Sequence, residues 1–389
     1  MTDAELLERY RPFCHYDQIE SFRADSAAVL PEHFFDGGRS WSYSNALKRS
    51  GGKTIAKAKP EPGQPKLELA FLGPSSYAHG EAVRGSDFID AFGRDYINDA
   101  TRMHANPQYA DRSYGHVARE TDGTRWLQYW FFYYYNDKNF LGVGVHEGDW
   151  EMIQLRIGAD DKPTVATYAQ HNDAEGLRYA DVTRKKVGPT EVPVVFVGRG
   201  SHASFAKPGR HDVIFLFPDY ADGKGAKVRP ALEVIDETTS WVAWPGKWGS
   251  SESSPRGPAQ HRQWTDPAGF HREVAGAAVR SRARARASAP PAPPAPAMTA
   301  RVVAGRALVE YRFPERLPAD SGMPTRIAIS VDRLDDDMPP VTHAFPVKGR
   351  EGTAAHPLPL ESGSYAVRVV AFSEDGAASP VVSRRIEAG

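Results

Sequence analysis

Asp137, His146, Asp149 and Glu151, all within the segment WLQYWFFYYYNDKNFLGVGVHEGDWEMIQLRI, have residue types and spacing that could hold a divalent metal ion. Side chains alternate faces along an extended strand, so Asp149, Glu151, Ile153, Leu155 and Ile157 share one face. Trp150, Met152, Gln154 and Arg156 share the other. Two carboxylates therefore end a stripe that is otherwise apolar and faces inward. Burying like charges together is unfavourable unless a cation or hydrogen-bond donors compensate them. His146 precedes Asp149 across a glycine and can fold over the same end. The preceding aromatic strand repeats the pattern: Leu127, Tyr129, Phe131, Tyr133 and Tyr135 lead to Asp137. His171 ends a third such face, after Val165, Thr167 and Ala169. Carboxylate oxygens dominate, which suits Mg²⁺, Ca²⁺ or Mn²⁺ better than Zn²⁺. On spacing alone a plainer arrangement competes equally, with Asp149 capping a turn, Glu151 paired to an arginine and His146 in an ordinary loop.

A second chemistry-bearing residue is His202 in GRGSHASF, where small neighbours let a ligand or backbone approach closely. Imidazole suits a further metal ligand, a general acid or base, or a structural histidine bonded to carbonyls, and the three stay open. Ser201 and Ser204 flank it without a GxSxG elbow, which argues against a serine nucleophile. Trp241, Trp244 and Trp248 recur in WVAWPGKWG; packing in a core is favoured over stacking on sugars. Phosphate-binding glycine loops, CxxC pairs and dinucleotide fingerprints are absent from the sequence.

These residues need strands to position them. Strand patterns cover Trp126–Tyr135, Asp149–Ile157, Thr164–His171 and Val192–Val197, joined by glycine- and aspartate-containing loops. That predicts a mainly β protein with an antiparallel sheet or sandwich and a few short helices. Helices are expected over Ala4–Tyr10 and over Gly85–Ala100, the latter with Phe88, Ile89 and Phe92 on one face. Gly37–Gly63, rich in Gly, Ser, Lys and Pro, reads as a surface loop or hairpin.

A length of 389 residues fits two domains rather than one. Residues 276–297, rich in Arg, Pro and Ala, read as an extended spacer. It separates a β-rich domain (1–275) from a smaller one (298–389), where Arg301–Phe313, Thr325–Val331, Thr342–Val347 and Tyr365–Phe372 read as strands. A net charge of −1 gives no field to gather nucleic acid, so no nucleic-acid partner is expected. Cys14 is the sole cysteine, which precludes an intrachain disulfide and fits a reducing compartment. No secretory pattern opens the chain, and no apolar run approaches the roughly 18 residues of a membrane span. Cytoplasmic residence is the expectation, with signal-independent export and peripheral membrane contact left open.

HEGDWE followed by GRGSHASF, with the opening YRPFCHYDQIESFRADS, a strand ending in AQH and the later WPGKWG, resembles the vacuolar protein sorting-associated protein 62 family from about Tyr10 to His271. The same core is similar to necrosis- and ethylene-inducing peptide-like proteins, whose heptapeptide ends in HDWE. That resemblance implies a divalent cation gathered by Asp137, His146, Asp149 and Glu151 and gripping a sugar headgroup of a membrane sphingolipid. Two positions depart: Gly148 stands where the heptapeptide has its second histidine, and Glu147 where it has arginine. The segment SGSYAVRVVAFSEDGAASP resembles the last strands of a fibronectin type III domain, which implies an accessory module with Tyr365, Val367 and Val369 facing inward.

The leading expectation is metal-dependent recognition of a small polar ligand, such as a glycan or lipid headgroup. One rival is a metal-dependent hydrolase in which His202 or Glu151 moves protons; another is a metal that only braces the fold. Limited proteolysis of the native chain is expected to cut first within 281–297 and release a folded fragment beginning near Met298. Persistence of the intact chain under those conditions would move the boundary elsewhere.

Overall fold

The computed structural model describes residues 1–18, 20–38, 42–92, 95–137, 145–170, 173–211, 219–251, 253–274, 293–317, 323–334, 341–373 and 379–389. His171, most of the spacer and the turn segments 335–340 and 374–377 lie outside the described residues. The chain divides into two compact units, one of Met1–Asp137, His146–His211 and Asp219–Val279, the other chiefly Arg280–Gly389.

In the first unit the aromatic strand Arg125–Asn136 lies beside His146–Ile157 in a six-stranded sheet. Its order is Asp173–Arg178, Pro163–Gln170, His146–Ile157, Arg125–Asn136, Arg112–Arg119 and Ala231–Val234. Neighbours run antiparallel except the last pair, which is parallel. A second sheet orders Arg184–Val187, Thr190–Val197, Phe13–Tyr16 and Lys227–Val228, with Ser204–Phe205 also paired to Thr190–Val197. One apolar cluster joins Tyr129, Phe131, Ile153 and Leu155 of the first sheet to Cys14, Val195 and Val197 of the second. Burial of that shared face is the main force holding the sandwich closed.

The other face of the aromatic strand is covered too. Phe132 and Trp150 pack on Trp248, and Trp150 stacks on Trp241 at 5.9 Å. Coverage on both faces explains why WLQYWFFYYY reads as an unbroken aromatic run rather than an alternating one. Trp241, Trp244 and Trp248 are core residues, as favoured from sequence.

The helix expected over Gly85–Ala100 is corrected. Phe88–Asp90 is a strand, because Leu47 pairs with Ile89 and draws the segment into a small sheet with Ala46–Lys48 and Thr54–Lys57. The helix begins at Tyr96, where the Asp95 side chain accepts from the Asn98 N–H at 3.1 Å, and runs to His104. The strand expected over Arg301–Phe313 is a hairpin, Ala297–Val303 with Arg306–Arg312. Ala304 and Gly305 at its tip have φ of 50° and 70°, the pair of positive angles that a tight two-residue hairpin turn requires.

That hairpin opens the second unit. It joins Glu351–Pro359 in a three-stranded sheet, facing a four-stranded one ordered Val341–Pro346, Pro324–Arg333, Gly363–Ser373 and Val382–Ala388. Val309, Ile327, Ile329, Val367 and Val369 fill its core, with Tyr365 inward as expected. Among the described residues of the chain, no helix is long and apolar enough to cross a membrane.

Gly148 links the sheet to the tryptophan layer. Its φ is +62°, and a Cβ there would lie 2.1 Å from the Trp248 carbonyl oxygen. Gly148→Ala should therefore lower stability by about 2–5 kcal/mol, combining left-handed strain with overpacking. Chemical denaturation checks this; a loss below about 1 kcal/mol would show that the Trp248 loop yields freely.

Candidate functional site

The register pairs Tyr133 with Asp149 and Phe131 with Glu151, so both carboxylates lie on the face turned toward the second sheet. Asp149 is 4% exposed and Glu151 2%. The side chain that meets them comes from the second sheet's edge. After Thr190–Val197 the chain makes a tight loop closed by Gly198 N–H to Ala203 O and His202 N–H to Gly198 O, both at 2.9 Å. This loop forces His202 to φ +54°, an uncommon conformation for a residue with a Cβ. His202 is wholly buried, stacked on Tyr133 at 4.1 Å and 6°.

Its two ring nitrogens face two carboxylates. Nδ1 lies 3.0 Å from Asp149 Oδ2, and the Asn136 amide donates to that same oxygen at 3.3 Å. Nε2 lies 3.6 Å from Glu20 Oε1, an ion-pair distance rather than a hydrogen bond. Burial alone would push the imidazole pKa down, but Asp149 and Glu20 outweigh it and raise it to about 10. His202 is thus a buried imidazolium clamped between Asp149 of the first sheet and Glu20 of the opening loop. Glu20 is oriented in turn by the N–H groups of Gly200, at 2.6 Å, and Phe22, at 2.8 Å. Burial opposes its ionisation, yet His202 and those two donors hold its pKa below the usual range.

The other expected ligands surround this pair unevenly. Asp137 ends the aromatic strand, where burial and the nearby Glu20 charge raise its pKa against the pull of His202. His146 is half-buried, and its Nδ1 donates to the Gly148 carbonyl at 2.7 Å. An anchored Nδ1–H of this kind is the arrangement in which a metal-ligating histidine presents its Nε2. Glu147 turns away from His202, accepting from the Tyr96 hydroxyl and the Ser250 N–H, each at 2.9 Å. His171 lies outside the described residues. Asp149 and His202 therefore touch, Asp137 and Glu20 stand near them, and His146 is held separately.

Among the described residues, the one group of three whose ligand atoms lie within 4.8 Å of one another is Asp25, His104 and Asp111. His104 Nδ1 meets Asp25 Oδ1 at 2.8 Å, and Arg23 Nη1 lies 3.0 Å from His104 Nε2. The Arg23 guanidinium already supplies the cation there, so the group reads as an internal ion network. Sequence reasoning missed Glu20 and this network alike. Glu20 lies in the opening segment that carries the family resemblance, and that placement was its only signal.

No family model matches the chain. It is similar to two Saccharomyces cerevisiae proteins. One is the vacuolar protein sorting-associated protein TDA6, 28% identical over 179 residues, 36% of this chain and 38% of that protein. The other is vacuolar protein sorting-associated protein 62, 25% identical over 176 residues, again 36% and 38%. The matched region thus spans well under half the length of these relatives. A solved Necrosis and Ethylene inducing Protein 2 from the agent of cocoa's Witches Broom disease is 11% identical, covering 59% of this chain and 72% of its own, with a TM-score of 0.27.

Removing the imidazole tests the clamp. His202→Ala leaves Asp149 and Glu20 buried without their shared cation, and should cost about 3–5 kcal/mol. Alanine keeps a Cβ, so the cost of the positive φ remains and offsets none of that loss. Thermal unfolding should show the melting point of the first unit falling by roughly 10 °C. An unchanged melting point would mean that the imidazole is not what compensates the two carboxylates.

Proposed function

We propose that the first unit recognises a small polar ligand, a glycan or lipid headgroup, through a divalent cation. Asp137, His146, Asp149 and Glu151 would hold it, with His171 as a further donor. The observation that carries this reading is the burial of Asp149 and Glu151 on one inward face of the sheet. The donor set fits a hard cation: three carboxylates with one or two imidazoles favour Mg²⁺, Ca²⁺ or Mn²⁺ over Zn²⁺. When bound, the cation supplies a positive centre onto which ligand hydroxyl or phosphoryl oxygens can coordinate. Its energy of binding would have to exceed the cost of drawing the ligand atoms closer than they stand.

His202 is a positioning residue in this scheme. Its charge holds Asp149 and Glu20 in place, and Asn136 limits rotation of the Asp149 carboxylate. An imidazolium with a pKa of about 10, wholly buried, is a poor general base near neutral pH. That argues against His202 as the general base of a hydrolase. The second unit is an accessory module of the fibronectin type III kind; its three- and four-stranded sheets around one core support this.

Asp149→Asn keeps size and hydrogen bonding while removing a charge. The variant should lose bound divalent metal, measured by elemental analysis of purified protein, and lose retention on immobilised glycans or headgroup-bearing vesicles. Chelation of the wild type should give the same loss of binding, reversed by Ca²⁺, Mg²⁺ or Mn²⁺. Unchanged metal content in Asp149→Asn would sink the site. A melting point that falls on chelation while binding persists would mark the metal as a brace only.

A further inference from the structure

A second ligand-sized feature lies on the first unit, away from His202. It is a cleft of about 780 Å³ between the small sheet Ala46–Lys48, Thr54–Lys57 and the hairpin strand Ser42–Ser44. The register pairs Ala46 with Lys57 and Lys48 with Thr54, so one face of the sheet presents Lys48, Thr54 and Lys57 together. Lys59 lines the cleft beyond the end of Thr54–Lys57, and Phe92 forms part of its wall. Three ammonium groups against a single lining carboxylate, Glu61, make this a cation-rich concavity.

Two of the three lysines have carboxylate partners outside the lining. Lys48 pairs with Asp90 at 2.7 Å, and Lys59 pairs with Asp36, both ends half exposed. The exposed Lys59–Asp36 pair is worth little and is readily traded for a ligand anion, whereas Lys48–Asp90, 23% and 17% exposed, is held more firmly. Among the described residues Lys57 makes no ion pair. Phe92 is 41% exposed, and Lys48 Nζ sits 4.1 Å from its ring centroid. A cation over one face of an exposed ring leaves the other face as a flat apolar platform. Ser42 and Thr54 add hydroxyls to the same walls.

We propose that this cleft is a second binding site, independent of the metal-site reading, and that it takes an acidic oligosaccharide bearing uronate or sulfate groups. Lysines meet the anionic groups, hydroxyls meet sugar hydroxyls, and Phe92 stacks on a ring's C–H face. The polar, pleated floor suits a rigid hydroxylated polyanion. Acyl chains would need a contiguous apolar surface there instead.

Calorimetric titration of the full chain with a sulfated hexasaccharide and with a uronic-acid hexasaccharide tests this. At least one should bind, with affinity falling steeply as salt rises. Lys57→Gln combined with Lys59→Gln should weaken it roughly tenfold or more while circular dichroism stays unchanged. Asp149→Asn should leave this binding intact, which separates failure here from failure at the metal site. Equal binding of a neutral hexasaccharide would overturn the proposal. So would full retention in the double variant, binding to phosphatidylserine vesicles but to neither acidic sugar, or no binding up to about 1 mM.

Discussion

Everything near the candidate site depends on one buried ion cluster: the His202 imidazolium between Asp149 of the six-stranded sheet and Glu20 of the opening loop. Each member is costly to bury alone, and each is oriented by a neighbour that is itself fixed. Asn136 holds Asp149, two backbone N–H groups hold Glu20, and Tyr133 stacks on His202. The cluster joins three segments far apart in sequence, so it specifies how the two sheets of the sandwich meet. An apolar contact of similar area would stabilise as well and constrain geometry less.

The strain at His202 follows from the same requirement. A left-handed residue with a Cβ is disfavoured by about 1–2 kcal/mol, yet a glycine there could not supply an imidazole. The GRGSHASF segment resolves this by surrounding His202 with small residues. Gly198 is one of them: a Cβ there would sit 2.7 Å from Ser201 Oγ, which itself donates to Asp219 at 2.7 Å. The loop is therefore built around the histidine rather than around a ligand contact of its own.

Legibility in the sequence tracked how local the governing physics was. The aromatic and HEGDWE strands were readable because period-two alternation and β-branched or aromatic content are local properties. The shared face of Asp149 and Glu151 followed directly from that period. Phe88–Asp90 misled because its apolar spacing also fits a helix, and only pairing with Leu47 decides the outcome. Arg112–Arg119 carried little strand signal, since RSYGHVAR buries Ser113 and His116 among its neighbours. Nothing local marks Glu20, a loop glutamate whose importance comes from a partner 182 positions away. The role of His202 stayed undecided until its two carboxylate neighbours were known.

The two departures from the resembling heptapeptide now have a physical account. Position 148 has a left-handed φ with Trp248's carbonyl against it, so a histidine side chain would not fit without moving the tryptophan layer. Position 147 points to the helix Tyr96–His104 and to Ser250, where burial raises the glutamate's pKa while Tyr96 and the Ser250 N–H stabilise its charge. An arginine there would face the Ser250 N–H, which cannot accept, and would find only the Tyr96 hydroxyl oxygen as an acceptor. The changes at 147 and 148 thus belong together: both tie the strand to the Trp248–Ser250 loop. Neither touches His202, so the face carrying Asp149 and Glu151 could keep its arrangement while its outer wall was rebuilt.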